Sequence, residues 1–273
     1  MNITASQVNE LRKRTGAGMM DCKAALVESN GDMEQAIDYL RKKGQKVAAK
    51  RADREANEGV VISKTNDNHS FAAVVMINCE TDFVAKNEDF VKYAHNILDA
   101  AIQHKAANAE AVLALTIDNR TVADSLTDQT GIIGEKIELG AYEVIEAAST
   151  AAYIHPGNRL ATIVGLNKAG FEQIGRELAM QVAAMDPVAV DEADVPQSVI
   201  DREIQIGIEQ ARNEGKAEDM LEKIAQGKLK KFYRENTLLN QDFIRESKKT
   251  VRQYLTDADK TLTVSGFKRV MLG

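Results

Sequence analysis

One arrangement occurs twice along this chain and limits its fold more than anything else: two strand-like runs joined by a turn, followed by an amphipathic helix. The first copy is G-V-V-I-S-K-T and F-A-A-V-V-M-I-N-C, residues 59–65 and 71–79, flanking the turn formers N-D-N-H-S. Dense β-branched residues bounded by Asn and Asp predict a hairpin. Asn87 then caps a helix on which Val91, Ala94, Leu98 and Ala101 share a face, with Phe90 and Ile97 beside them. The second copy is Y-E-V-I-E-A-A-S-T-A-A-Y-I-H at 142–155, a tight H-P-G-N turn, R-L-A-T-I-V-G-L-N, and a helix carrying Phe171, Ile174, Leu178, Val182 and Met185. A helical stretch over about 109–135 is expected to join the copies. Strand pairs each backed by a helix predict an α+β fold, with a two-part core of hairpin sheets over 58–140 and over 141–186 plus 236–273.

The ends of the chain add helices. Thr4 with Gln7 makes a capping-box pattern ahead of Val8 and Leu11, and Gly16 closes that helix. A second helix starts at Met19 and stops at Asn30-Gly31; Asp32 with Gln35 caps a third, with Met33, Ala36, Ile37 and Leu40 on one face and Gly44 as its end. Residues 1–44 thus predict a small three-helix N-terminal domain. Residues 45–57, Q-K-V-A-A-K-R-A-D-R-E-A-N, carry a surplus of Lys and Arg and almost no apolar stripe, which predicts a solvated helical linker.

Residues 187–235 predict an antiparallel helical hairpin projecting from the body. Ile200, Ile204, Ile208 and Ala211 make one seam, Leu221, Ala225, Leu229 and Phe232 the other, with Asn213-Glu214-Gly215 as the turn. Beyond it, S-K-K-T-V-R-Q-Y-L reads as a helix and T-L-T-V-S-G-F-K-R-V as an added strand.

Composition narrows function. A net charge of -6 disfavours a broad nucleic-acid-binding face, which needs many cations to neutralise phosphates. No segment approaches the roughly 20 apolar residues of a membrane span, and the first residues lack the apolar core of an export signal, so the cytoplasm is the expected compartment and neither nucleic acid nor membrane the expected partner. The sequon Asn119-Arg120-Thr121 is then an accident of composition. Cys22 and Cys79 have no C-x-x-C spacing, and the histidines at 69, 95, 104 and 155 show no metal-ligand spacing, so no metal or cofactor is expected. G-A-G at 16–18 lacks the G-K-[ST] of a phosphate loop, no G-x-S-x-G elbow occurs, and the helical carboxylates alternate with Lys and Arg as solvated faces do. An enzyme is the weaker reading. A peptide-binding adaptor built on the N-terminal bundle, and a hydrolase or transferase using the core, stay open as alternatives.

Between the apolar run ending at Cys79 and the cap at Asn87 lie Thr81, Asp82, Phe83 and Val84. Connections of this kind lie at the surface. From position alone the Phe83 ring is either a core plug or a contact, and Met19 and Met20 serve either the bundle core or an interface.

L-R-K-R-T-G-A-G-M-M-D-C-K-A-A-L at 11–26, together with N-C-E-T-D-F-V-A-K-N at 78–87, resembles the bacterial elongation factor Ts family. The likeness continues through I-G-E-K-I at 133–137, Y-I-H-P-G-N-R-L at 153–160, M-Q-V-A-A, K-L-K-K-F-Y and L-L-N-Q-D-F, and covers nearly the whole chain. The resemblance implies a guanine-nucleotide exchange factor for the GTPase elongation factor Tu, without covalent catalysis, built from a UBA-like three-helix domain, a two-part core and a helical hairpin. It implies that Thr81–Val84 inserts into the GTPase and dislocates its magnesium ion, that Arg12, Met19, Met20 and Lys23 dock on the nucleotide domain, and that His155 and Arg159 brace another domain. A homodimer, or a complex of two chains with two GTPases, fits the same resemblance. Two departures stand out: the sequence stops at V-S-G-F-K-R-V-M-L-G, where many relatives continue through a glycine-rich E-G-I stretch into a further helical module, which implies reduced affinity; and H-P-G-N carries a proline where relatives often have glycine, which implies a stiffer turn.

Overall fold

The structure, a computed structural model, describes residues 3–273. Its N-terminal helices are α1 (Ala5–Thr15), α2 (Met19–Glu28) and α3 (Met33–Arg51). Thr4 Oγ1 accepts from the Gln7 amide while the Gln7 side chain accepts from the Thr4 amide, and Gly16 ends α1 in the left-handed conformation. Asp32 caps α3 by accepting from the Gln35 amide at 2.8 Å. Val8, Leu11, Cys22, Ala25, Leu26 and Ala36 form the bundle core. The expected stop at Gly44 is overturned, because α3 continues without a break to Arg51. Glycine in a helix interior costs only about 1 kcal/mol relative to alanine, too little to end a helix that packs against a neighbour at that position.

That neighbour lies beyond the first hairpin. Strands β1 (Glu58–Thr65) and β2 (Phe71–Cys79) are followed by a single helical turn, α4 (Asp82–Ala85), and by α5 (Glu88–Gln103), which Asn87 caps by accepting from the amides of Asp89 and Phe90. Phe90, Ala94, Ile97, Leu98, Ala101 and Ile102 are buried on α5, while Val91 is only half-buried. The stretch read as one helical connection contains α6 (Ala109–Ala114), the small hairpin β3 (Thr116–Ile117) and β4 (Arg120–Thr121), and α7 (Val122–Ile133). The turn between β3 and β4 is Asp118-Asn119, both at positive φ, a conformation these two residue types tolerate and that suits a two-residue hairpin. Helix α3 crosses α7 where Gly44 meets Gly131; a Cβ built on Gly131 would lie 2.3 Å from the Gly44 Cα.

Strand β5 (Glu138–Glu146) joins the first hairpin in a sheet of order β1-β2-β5. The expected continuous strand over 142–155 is therefore two strands, and β6 (Ser149–Ile154) belongs to another sheet. The break has a cause: the Ala147 amide donates to the Ser70 carbonyl and the Thr150 amide to the His69 carbonyl, so the chain bends around the first hairpin's turn. Strand β6 pairs antiparallel with β7 (Leu160–Leu166), Ser149 opposite Leu166 and Ile154 opposite Ala161.

Helix α8 (Glu172–Met185) lies on β6 and β7 and buries Leu178, Ala179 and Val182. Its outlying members differ from expectation: Phe171 is the N-cap residue and Met185 is exposed. The hairpin α9 (Gln197–Asn213) and α10 (Glu218–Asn236) follows, with Ala211, Leu221, Ala225 and Leu229 buried between its arms. Then come β8 (Asp242–Phe243) paired with β9 (Glu246–Thr250), helix α11 (Val251–Ala258), and β10 (Val264–Met271) beside β7 in the order β10-β7-β6. The expected helix over S-K-K-T-V-R-Q-Y-L starts only at Val251, because Thr250 caps it through a reciprocal box with Gln253 and residues 246–250 are extended. The α+β architecture is thus as expected, with small sheets, backing helices and a helical hairpin.

By contacts the chain divides into two compact units: the described residues up to Ile62 with Val75–Tyr142 and the last residues from Met271, and Ser63–Val74 with Glu143–Val270.

Candidate functional site

Strand β2 is buried along nearly its whole length, and it ends where the chain must leave the sheet. The next backbone amides lose their ladder partners, and buried or half-buried donors need replacements. A single carboxylate supplies them. Glu135 Oε2 accepts from the Glu80 amide at 3.1 Å and the Thr81 amide at 3.0 Å, while its Oε1 accepts from Thr81 Oγ1 at 2.7 Å. Thr81 therefore does not use its side chain as an N-cap for α4. The relation is reciprocal, since Glu80 Oε1 accepts from the Lys136 amide at 2.6 Å. Glu80 also holds Arg51 Nη1 through both carboxylate oxygens, at 2.7 and 2.9 Å. Its carboxyl consequently titrates below its ordinary value, the Lys136 amide being the main cause and Arg51 adding to it. Below this clamp Cys79 Sγ donates to the Thr81 carbonyl at 3.2 Å, and burial, reinforced by the Glu135 charge, pushes the thiol up to about 12. Cys79 is a packed, unreactive thiol.

Glu135 reaches residue 80 because α7 stops two residues earlier, at Ile133. Gly134 takes φ 81° and donates its amide to the Thr130 carbonyl at 2.9 Å, so the chain reverses and the Glu135 side chain points back. The Ile137 amide then donates to Thr130 Oγ1 at 3.0 Å, fixing the exit from the turn.

Above the clamp stands α4. The Phe83 ring is 83% exposed, on a turn none of whose four helical residues is buried. A core plug is thereby excluded for the free chain. Asp82 pairs with Lys86 one turn on, Nζ to Oδ2 2.6 Å, and that ammonium holds its carboxyl below the usual range. The result is a large apolar ring beside a carboxylate, displayed on a short turn whose base has three hydrogen bonds to one side chain. Isolated exposed aromatics are ordinary on a surface; this one differs in standing on a base held by a carboxylate clamp.

A family model described as Elongation factor TS matches residues 80–273, beginning inside this clamp. The chain is also similar over its whole length to proteins named Elongation factor Ts: 55% identical to that of Porphyromonas gingivalis strain ATCC 33277, covering 100% of this chain and 99% of the relative, 50% to that of Christiangramia forsetii, covering 99% of each, and 48% to that of Amoebophilus asiaticus, covering 100% of each. The chain belongs to the elongation factor Ts family.

For a member of the elongation factor Ts family, the remaining residues singled out from sequence fall in two places. Arg12 on α1 and Met19, Met20 and Lys23 on α2 all lie on the surface of the bundle, with Met19 54% and Met20 74% exposed. Core packing is thus excluded for both methionines. Met20, Lys23 and Val27 follow at spacings of three and four, so they share a helix face, and Val27 is exposed too. His155 and Arg159 flank the β6–β7 turn, where the Tyr153 hydroxyl meets His155 Nδ1 at 3.2 Å and the Asn158 amide donates to the His155 carbonyl. These two belong to the second compact unit, whereas Thr81–Val84 and the bundle belong to the first.

Sequence reasoning missed Arg51, Glu80, Glu135 and Lys136 as parts of the site. I-G-E-K-I was visible as a family stretch, but nothing local marked its glutamate as the partner of residues 80 and 81. Among the described residues no group of three or more His, Cys, Asp or Glu is placed to hold a metal, and no helix is long and apolar enough to cross a membrane.

Proposed function

We propose that this chain is the guanine-nucleotide exchange factor of translation elongation, acting in the cytoplasm on elongation factor Tu with bound GDP. The observation that carries the reading is Phe83, fully presented on a clamped turn in a family whose members are named as elongation factors. In this reading Thr81, Asp82, Phe83 and Val84 enter the GTPase, and burial of the ring contributes roughly 1.5 to 3 kcal/mol. Asp82 exchanges Lys86 for polar groups at the rim of the partner's pocket. Arg12, Met19, Met20 and Lys23 dock on the nucleotide-binding domain, where adaptable methionines suit an apolar surface. His155 and Arg159 brace a second domain of the GTPase.

The chemistry required is small. Magnesium demands near-octahedral geometry, so shifting the elements that hold it weakens its bridge to the phosphates. The ion belongs to the GTPase, and no bond is made or broken by the factor. A thousandfold faster GDP release needs about 4 kcal/mol of barrier lowering. Linkage then closes the cycle: a factor that weakens nucleotide binding is itself weakened by nucleotide in the same ratio, so incoming GTP expels it.

The test is release of a fluorescent GDP from purified elongation factor Tu. The wild-type chain is expected to accelerate release, and no acceleration would refute the reading. Phe83→Ala is expected to slow the accelerated release roughly 10- to 150-fold, the equivalent of losing 1.5 to 3 kcal/mol of contact. Because the ring is exposed in the free chain, the circular dichroism of this variant should match that of wild type.

A further inference from the structure

We infer that Glu135 is a positioning residue for exchange: its carboxylate sets the conformation of the Thr81–Val84 turn before the partner arrives, and it acts through Phe83. This inference rests on the exchange reading above and deepens it.

The geometry is specific. One side chain satisfies both backbone amides at the mouth of the turn and the Thr81 hydroxyl, at 3.1, 3.0 and 2.7 Å. Hydrogen bonds to an ionised acceptor are shorter and stronger than neutral ones. Without them, residues 80 and 81 keep the Glu80 side-chain bonds to Arg51 and the Lys136 amide, and the Thr81 carbonyl keeps the bonds it accepts from the Cys79 thiol and the Ala85 amide, but nothing takes the Glu80 and Thr81 amides at the mouth of the turn. No side chain of the turn is fully buried, so packing holds it only weakly. A half-buried surface turn released at its entry samples more conformers, and binding would have to select one. Glu135 makes that selection in the free protein. The carboxylate is anchored in turn by the left-handed Gly134 at the end of α7, and the reciprocal Glu80–Lys136 bond prevents the two segments from sliding apart.

Two alternatives differ in what they predict. A Glu135 that merely supports the fold would lower the melting temperature and leave the maximal rate of the folded protein unchanged. A Glu135 that touches the GTPase directly would contribute whether or not Phe83 is present, and would need its charge. A positioning residue has neither property. Glutamine is close in shape to glutamate; its oxygen can accept from both amides and its NH2 can donate to Thr81 Oγ1, so Glu135→Gln preserves the lock.

The experiment is a double-mutant cycle in the fluorescent-GDP assay, run at saturating factor so that the maximal rate is separated from the half-saturating concentration. Glu135→Ala is expected to lower the maximal rate of the folded protein about thirtyfold, with Glu135→Gln within about threefold of wild type and melting close to wild type. In the Phe83→Ala background, adding Glu135→Ala should slow release by no more than about twofold, because the ring it positions is gone. Glu135→Asp keeps the charge but withdraws the oxygens by one methylene; it should behave like the alanine variant and serves in its place should the latter not fold. The inference is overturned if Glu135→Ala exchanges at the wild-type rate while Phe83→Ala is slow, if the two losses multiply, or if Glu135→Gln is as slow as Glu135→Ala. Failure of the wild-type chain to exchange at all would instead sink the reading beneath it.

Discussion

Helices α9 and α10 close on a seam of side chains, with Leu221 and Leu229 buried against Ala211 and Ala225 and the half-buried Ile200, Ile204 and Ile208 along its length. Helices α3 and α7 meet where neither has a side chain, backbone to backbone at Gly44 and Gly131. The first contact is held by apolar area removed from water, which adds up residue by residue. The second is held by close approach of two main chains, which gains dispersion contacts only while the approach is kept. A seam of leucines tolerates small displacements. A glycine crossing does not, and here the crossing carries the clamp: α3 continues from it to Arg51, which grips Glu80, and α7 continues from it to Gly134 and Glu135. Both arms of the clamp on Thr81–Val84 therefore issue from one helix contact.

The contrast is sharpest at Gly131. A Cβ there would sit 2.3 Å from the Gly44 Cα and 3.3 Å from its carbonyl carbon, which no rotamer change relieves. Gly131→Ala is expected to force the helices apart and destabilise the protein by about 2 to 3 kcal/mol, the upper part of the usual range for overpacking, even after the better helix propensity of alanine. Calorimetric melting measures it, and exchange activity should fall with it because Glu135 moves. A loss under about 1 kcal/mol would show that the crossing is slack. Gly207 on α9 is the matched control, since its added Cβ would lie 3.1 Å from both the Cα and the Cβ of Ala225. Gly207→Ala is expected to change stability by less than about 1 kcal/mol, tight contact offsetting propensity. A loss as large as that of Gly131→Ala would mean that the hairpin, too, is governed by its glycine and not by its seam.

The same contrast explains what could be seen before the structure. Features fixed by neighbours in sequence were legible: the Thr4–Gln7 box, the Asn87 cap, the apolar seams of α9 and α10, and the place of Thr81–Val84 between a strand and a helix. The Thr250–Gln253 box obeys the same local rule, yet it was overlooked and α11 was started too early. Features fixed by distant partners were not legible. Glu135 lies 54 residues from Thr81, and one glutamate among many carries no mark of its partner. The division of 142–155 depends on carbonyls of His69 and Ser70, and the unbroken α3 depends on Gly131, so Gly44 was read as a stop. An interface made of glycine has no hydrophobic period to detect.

The smallest expected effect is at the other side of the same crossing. Cα–Cβ bonds in a helix tilt toward its N-terminus, so two glycines in contact need not present their missing side chains to each other equally. A Cβ on Gly44 would meet the Gly131 Cα at 3.5 Å and the Thr127 carbonyl oxygen at 3.9 Å, ordinary van der Waals distances. Steric cost is therefore slight, while replacing glycine inside α3 recovers roughly 0.5 to 1 kcal/mol of helix propensity. Gly44→Ala should leave stability unchanged or raise it by up to about 1 kcal/mol, with exchange unaltered. Opposite signs at two residues that touch would show that the contact is set by the direction in which α7 faces α3, not by a general need for small residues. A loss of about 2 kcal/mol at Gly44 as well would show that both helices require glycine, and would place the rigidity of the clamp in the approach distance alone.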